Sequence, residues 1–296
     1  MNRMYKTFCA LLLALLPVVA MAQIDGEFVK PRNGKFLLKN ATVVTVTKGT
    51  LANASVLLEN GKISKVGTNL SSDGAEVIDC TGLFIYPGII DGGTRLGLVE
   101  VSSVPETVDY AEIGNVSPNM QALTTVNPNS EAIGVTRVSG VTTVLTVPSG
   151  GLFPGTAALI NLNGYTPDQM YGGFKAIAMT FPSSGRRGRF DRRSEEDIKK
   201  DGEKAMKEAN EIWGNAKSYL ELKNSGAELT YYPEMEQLSK VISGELPLLI
   251  EVNAASDILN AIKWVDGKNI KVIFTGVAEG WRVAEQLAKS KIPVVT

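Results

Sequence analysis

The chain has 296 residues, 44% of them hydrophobic, which is enough for one large domain or two ordinary ones with a substantial core. Thirty basic residues against 31 acidic ones leave a formal charge of -1, which argues against a nucleic-acid partner, because polyanion binders carry a basic excess or stripe. There is no histidine, so no scheme for this protein can use an imidazole as metal ligand or general base.

The chain opens with Asn2, Arg3 and Lys6, then the apolar run FCALLLALLPVVA, then Ala20-Met21-Ala22 before Gln23. This is the charged, apolar and small-x-small order of a secretory signal peptide over residues 1–22, and it predicts export to the periplasm or cell exterior. The alternative is a membrane anchor. The run from Phe8 to Ala22 is short of the roughly 20 residues that span a bilayer, and no stop-transfer charges follow, so no stable membrane span is expected after cleavage. Cys9 leaves with the signal. Cys80 then has no internal partner for a disulfide and reads as a buried, inert small apolar residue.

Residues 23–34 are polar and contain Pro and Gly, as expected of a flexible arm. Residues 35–86 read as a small β layer. Phe36–Leu38, Ala41–Thr47, Ala54–Glu59 and Lys62–Val66 are strand-like, and Asn60-Gly61 is a strong hairpin turn. From Pro87 the texture changes. Apolar runs without alternation follow one another: YPGIID, GVTTVLTVP, AALINL, FKAIAMTF, LPLLIEVN, NIKVIFTG and IPVVT. Such runs suit a parallel sheet covered by helices. A long amphipathic helix is predicted after Ser194, with Asp197 in a capping-box position. Shorter helices are predicted over Glu234–Ser243, Ala255–Val265 and Glu279–Ser290. Alternating strands and helices predict a barrel or an open α/β sheet over residues 87–296.

Two loops carry chemistry. The stretch from Ser149 to Thr156 (SGGLFPGT) lacks the ending of a P-loop and the spacing of a dinucleotide site. It reads as a tight turn or a pocket-lining loop, with phosphate binding as the sharper alternative. Gly185, Arg186, Arg187, Gly188 and Arg189, with Arg192 and Arg193, form a dense basic run. That run is either a solvated loop or an anion-binding one.

Four phrases in order carry a resemblance: VIDCTGLFIYPGIIDGG, GVTTVLTVPSGG, LPLLIEVNAASDILNAIKW and NIKVIFTGVAEGWRVAEQLAKSKIPVV. Together they resemble the amidohydrolase superfamily, especially its exported, imidazolonepropionase-like members, from about residue 35 to the end. The resemblance implies an incomplete amidohydrolase-type TIM (β/α) barrel preceded by a small β-sandwich portion. Against the family pattern the chain stops near barrel strand seven. A truncation, or a separate chain that completes the fold, is therefore the expectation.

The family hydrolyses carbon–nitrogen bonds of non-peptide or cyclic amides, using zinc or another divalent metal to activate water. By resemblance, the strand-one H-x-H pair falls on Gly93 and Arg95, the strand-five histidine near Glu251 with Asn253 close by, and the strand-six histidine on Gly276. Glycine has no ligand atom, and arginine stays protonated with no lone pair to give. The usual dinuclear site is therefore not expected, no cofactor is assigned, and catalytic competence is in question. Asp91 is expected to brace strand one, and Glu279 to start the helix after strand six. The candidate pocket is Arg95, Glu251 and Asn253 at the strand C-termini, with Arg95 and Glu251 expected to pair across the opening. Its ligand would be a small cyclic amide or peptide-like molecule. The alternative is a non-catalytic binding or scaffold protein, acting as an oligomer or beside a paralogous partner.

Overall fold

The computed structural model describes residues 34–183, 185 and 192–296. The expected signal peptide, nearly all of the arm and residues 186–191 of the basic run lie outside the described residues. The chain divides into two compact units after Pro87.

The first unit is a five-stranded sheet. Its strands are β1 (Lys35–Val44), β2 (Thr50–Glu59), β3 (Lys62–Gly67), β4 (Glu76–Asp79) and β5 (Phe84–Ile85). They run in the order β3-β2-β1-β4, with β5 also pairing with β1. The two segments expected at Phe36–Leu38 and Ala41–Thr47 are one strand. Asn40 takes a positive φ of 64°, and the register shifts between Leu38 and Ala41, so an irregularity absorbs the break in pattern. Asn60 and Gly61 both have positive φ, 51° and 73°, as a type I′ hairpin turn requires. One face buries Ala41, Val43, Ala54, Val56 and Cys80. Cys80 is a free, buried thiol there.

The second unit holds seven strands in one sheet: β6 (Ile89–Thr94), β7 (Val141–Thr146), β8 (Gly155–Asn161), β9 (Tyr171–Thr180), β10 (Leu248–Val252), β11 (Val272–Gly276) and β12 (Val294–Val295). Their spatial order is their sequence order, β6 through β12. Helices lie between them: α1 (Ala122–Thr125), α2 (Glu131–Val138), α3 (Pro167–Met170), α4 (Glu195–Ser225), α5 (Pro233–Ile242), α6 (Ala255–Val265) and α7 (Ala284–Ser290). The sheet curls nearly shut, giving an incomplete TIM-type barrel with one unsealed seam. At the seam β6 and β12 are not ladder partners. They meet where Gly92 faces Val295, and a Cβ on Gly92 would collide with Val295 Cγ1. Gly88 is required in the same way, because a Cβ there would run into the Thr142 side chain on β7.

One strand departs from the expected parallel arrangement. β8 is antiparallel to both neighbours. Its connections, residues 147–154 and 162–170, are each shorter than the dozen or more residues that a parallel crossover takes. The apolar run AALINL reports burial on both faces but says nothing about direction.

The principal core lies between the sheet and helices α4 to α6. It includes Ile177, Met179, Leu248, Ile250, Ile258, Trp264 and Phe274. Leu145, Ala157, Ala176 and Leu249 form a separate, smaller cluster on the opposite strand faces. Helix α4 starts as its capping pattern predicts, with Ser194 Oγ accepting the Asp197 N–H, and it stops at Gly226 with φ 72°. The segment expected as one helix over Glu279–Ser290 is a 3₁₀ turn (Gly280–Val283) followed by α7. Helix α2 was not legible in sequence. It buries only Ile133 and contains Gly134, so it shows little apolar periodicity.

Candidate functional site

Strand alternation decides which side chains reach the barrel mouth. On β10, Leu248, Ile250 and Val252 pack toward the helices, whereas Leu249 belongs to the smaller cluster on the other face. Glu251 shares the parity of Leu249, one pleat nearer the C-terminal end, and its side chain is exposed. Glu251 sits in register with Thr180 of β9 and Thr275 of β11. Arg95 follows the last residue of β6, and Asn253 follows the last residue of β10.

All three line one cavity of about 730 Å³ at this end of the strands, where barrel folds place functional groups. Its walls come from the ends of β6, β9 and β10, the loop after β7, the segment around Tyr110 and Asn115, and the first turns of α4. The volume lies within the usual range for small-molecule sites, about 300–1,000 Å³. Gly93 and Gly276 do not line it.

The expected Arg95–Glu251 ion pair is not formed. Among the described residues, no ion pair involves either side chain. Arg95 instead lies over the Tyr110 ring, its Cζ 4.1 Å from the ring centroid. Tyr110 is half-buried and packs on the cluster around Leu98, Val144 and Ile160, so the ring is a fixed platform. A planar guanidinium gains by lying on such a ring without giving up its N–H groups, and this contact displaced the expected one.

Tyr110 also places the glycine loop. Its carbonyl accepts the Ser149 N–H at 2.7 Å. The Asn115 carbonyl accepts from Leu152 and Phe153, and Asn115 Oδ1 accepts from Leu152 as well. Asn115 Nδ2 reaches Glu208 of α4 at 2.7 Å. Gly150 and Gly151 both take positive φ, 98° and 81°. A Cβ on Gly151 would lie 2.9 Å from the Asn115 carbonyl oxygen. The loop after β7 is therefore the pocket-lining loop of the first alternative.

The remaining walls hold residues that sequence reasoning missed. Asp257, only 3% exposed, accepts the Ser183 hydroxyl at 3.0 Å. Arg193 pairs with Asp201 at 2.8 Å. Asp257 carries a weak signal as an acid in the first turn of α6, but nothing in sequence shows that it is buried or that it meets Ser183.

The positions where the resemblance puts metal ligands on strands one and six differ from one another. Gly93 faces open space, with nothing within 4 Å of a Cβ built there. Its N–H is held by Asp91 Oδ1 at 3.0 Å, a local contact two residues along the same strand. Arg95 has the aromatic partner just described. Gly276 has φ +79°, and a Cβ there would meet the Asn253 side chain, Oδ1 first. The chain then turns at Val277, a β-branched residue at φ 46°, whose N–H bonds the Val252 carbonyl at 2.8 Å. Glu279 begins the 3₁₀ turn as expected, its carbonyl accepting the Arg282 N–H at 3.0 Å. Its carboxylate accepts the Ala255 N–H at 2.9 Å and so caps α6, where Ala254 has no side-chain acceptor, while Arg282 lies 3.2 Å away. The backbone N–H and the nearby guanidinium hold the Glu279 carboxyl below the ordinary carboxylate range.

These donors do not fit a catalytic divalent site, which takes three side-chain ligands drawn from imidazole, thiolate or carboxylate. Glu251 is the single conventional ligand among the family positions. Among the described residues there is no group of three or more His, Cys, Asp or Glu side chains placed to hold a metal ion. Nor is any helix among them long and apolar enough to cross a membrane.

No protein-family model matches the chain. A D-hydantoinase from Geobacillus stearothermophilus is 40% identical over 90 residues, 30% of this chain and 18% of that protein. A dihydroorotase from Pelotomaculum thermopropionicum is 39% identical over 103 residues, 28% of this chain and 24% of that protein. The chain thus matches less than a quarter of the length of either. Among solved structures, an amidohydrolase from Thermotoga maritima superposes with a TM-score of 0.77 at 26% identity, covering 88% of this chain and 69% of that one. The barrel, the β layer before it and these likenesses place the chain in the amidohydrolase superfamily.

Proposed function

We propose that the mouth cavity recognises a small amide-bearing molecule, and that this chain keeps the recognition half of an amidohydrolase site without the metal-activated water. The relatives are named for hydantoin and dihydroorotate, which are cyclic amides, and these supply the substrate class. The observation that carries the reading is the fate of the metal positions. Gly93 and Gly276 offer no ligand atom, and Arg95, exposed on its aromatic platform, is a fixed cation where a ligand would stand. A guanidinium repels a cation and attracts a carbonyl or carboxylate oxygen. The finer, imidazolonepropionase-like placement rests on the sequence phrases alone.

The experiment is a paired measurement of binding and turnover with hydantoin and dihydroorotate, each with and without added zinc or manganese. Saturable binding without hydrolysis above the protein-free rate is the expected result. Metal-dependent hydrolysis that disappears in Glu251→Gln would replace this reading with that of a working hydrolase.

A further inference from the structure

The mouth cavity contains opposite charges that the fold leaves unpaired. Among the described residues the Arg95 guanidinium donates no hydrogen bond and meets no carboxylate, and it lies over the Tyr110 ring. Across the same cavity the Glu251 carboxylate, on β10, likewise accepts no hydrogen bond; only its backbone carbonyl is used, by the Phe181 N–H. The Asn253 side-chain amide beside it has no hydrogen-bond partner among the described residues either. Elsewhere in this cavity charge is neutralised, as Arg193 is by Asp201. Arg95 is instead held on the Tyr110 ring.

The Arg95 side of the cavity carries further donors. Gly150 and Gly151 line it, and neither N–H has an acceptor among the described residues, although both neighbours, Ser149 and Leu152, have theirs. Tyr110 organises both halves, its ring under Arg95 and its carbonyl on Ser149. Consecutive backbone N–H groups beside a guanidinium are a pattern that receives an anion. A planar, forked guanidinium suits a carboxylate.

We infer that the cavity takes a short unblocked peptide, with its carboxylate at Arg95 and the Gly150–Gly151 loop and its amino end at Glu251 and Asn253. This rests on the reading of the mouth as an amide-recognition site and names its ligand class. The cavity, about 730 Å³, has room for a dipeptide. No bond is made or broken in this step.

The test uses three probes and calorimetric or NMR titration at low salt: glycylglycine, its C-terminal amide, and its N-acetyl derivative. Glycylglycine should bind at least about tenfold tighter than either blocked form, the ratio that one charge-assisted contact supplies. Arg95→Met should bring the acid-to-amide ratio to near one and leave the amide's own affinity in place. Glu251→Gln should do the same for the free-to-acetylated ratio. Both side chains are exposed, so the variants should fold; Glu251→Gln should keep the parent unfolding midpoint, Arg95→Met should lower it slightly through loss of the Tyr110 contact, and Arg95→Lys serves as a second probe that keeps the charge and removes the fork. Equal affinities for the three probes, or ratios that survive both substitutions, would overturn the peptide assignment and leave amide recognition standing. If no probe binds at millimolar concentration and hydantoin does not bind either, both readings fall.

Discussion

The glycine loop after β7 can be tested by a graded series, because the backbone and its surroundings rank three glycines differently. Gly93 lies in open space and has no left-handed φ, so Gly93→Ala should change stability by no more than about 0.5 kcal/mol. Gly150 has φ +98° and would place a Cβ 3.3 Å from the Ala111 Cβ. Its substitution carries the left-handed penalty, about 1–2 kcal/mol, and a slight crowding that its exposed neighbour can relieve. Gly151 has φ +81° and would place a Cβ 2.9 Å from the Asn115 oxygen and 3.0 Å from the Asn115 Cα and the Gly114 oxygen. Those are backbone atoms, and the Asn115 oxygen is already bonded to Leu152 and Phe153. The crowding cannot be relieved by rotating a side chain. An overpacking cost of about 1–3 kcal/mol therefore adds to the left-handed penalty, giving roughly 2–5 kcal/mol. Urea unfolding of the three alanine variants, compared at constant m, measures the order directly. If Gly151→Ala proved no more costly than Gly93→Ala, the loop would not be held on Asn115 as described, and the donor arrangement at the mouth would lose its basis.

Two further predictions concern other parts of the chain. Glu279, with its carboxyl held low by the Ala255 N–H and Arg282, contributes stability that is complete above the ordinary carboxylate pKa and lost as pH falls through the lowered folded value. Glu279→Gln should therefore lower stability at neutral pH and flatten the acid limb of the unfolding midpoint between about pH 5 and pH 3; an unchanged limb would show that the cap on α6 is inconsequential. At the other end, protein recovered from cells should have an N-terminus near Gln23, as the Arg3/Lys6 region, the Leu-rich core and Ala20-Met21-Ala22 imply; soluble protein that keeps Met1 would reject export.

How far sequence reached follows from what each signal encodes. Periodicity and caps are local, so α4 from Ser194 to Gly226 and the Asn60-Gly61 hairpin were legible nearly to the residue. Strand direction is not local. The run AALINL has the burial of a barrel strand but reverses, because the connections on either side are too short to cross over. At the mouth, strand-end positions were readable for Arg95 and Glu251, since they follow from phrase order and parity. Their partners were not. Tyr110 comes from an irregular segment with no period, and only tertiary packing brings its ring beneath Arg95. Asp257 was hidden for the same reason, since its burial depends on Ser183 from another loop.

Of the four positions where the resemblance puts metal ligands, Glu251 keeps a carboxylate and the other three differ in what they could accept. Gly93 leaves space, and a larger side chain fits there today. Arg95 is held by a ring that belongs to a core cluster, so replacing it removes a cation–aromatic contact as well as a charge. Gly276 is closed by backbone conformation as much as by Asn253, because φ +79° penalises any side chain even after the amide swings aside. Histidines introduced at Gly93 and Arg95 would therefore add two imidazoles at the end of β6, whereas one at Gly276 would carry the left-handed penalty of about 1–2 kcal/mol and crowd Asn253. A side chain at the strand-six position is thus limited by the turn at Gly276 and Val277 as well as by its own identity. That turn in its turn is pinned by the Val252 carbonyl and by the Asn253 carbonyl, which accepts the Glu279 N–H. The same Glu279 caps α6 through its side chain. The residues around the strand-six turn thus also hold the C-terminal end of β10, so a change at Gly276 or Val277 should be felt at Glu251 and Asn253.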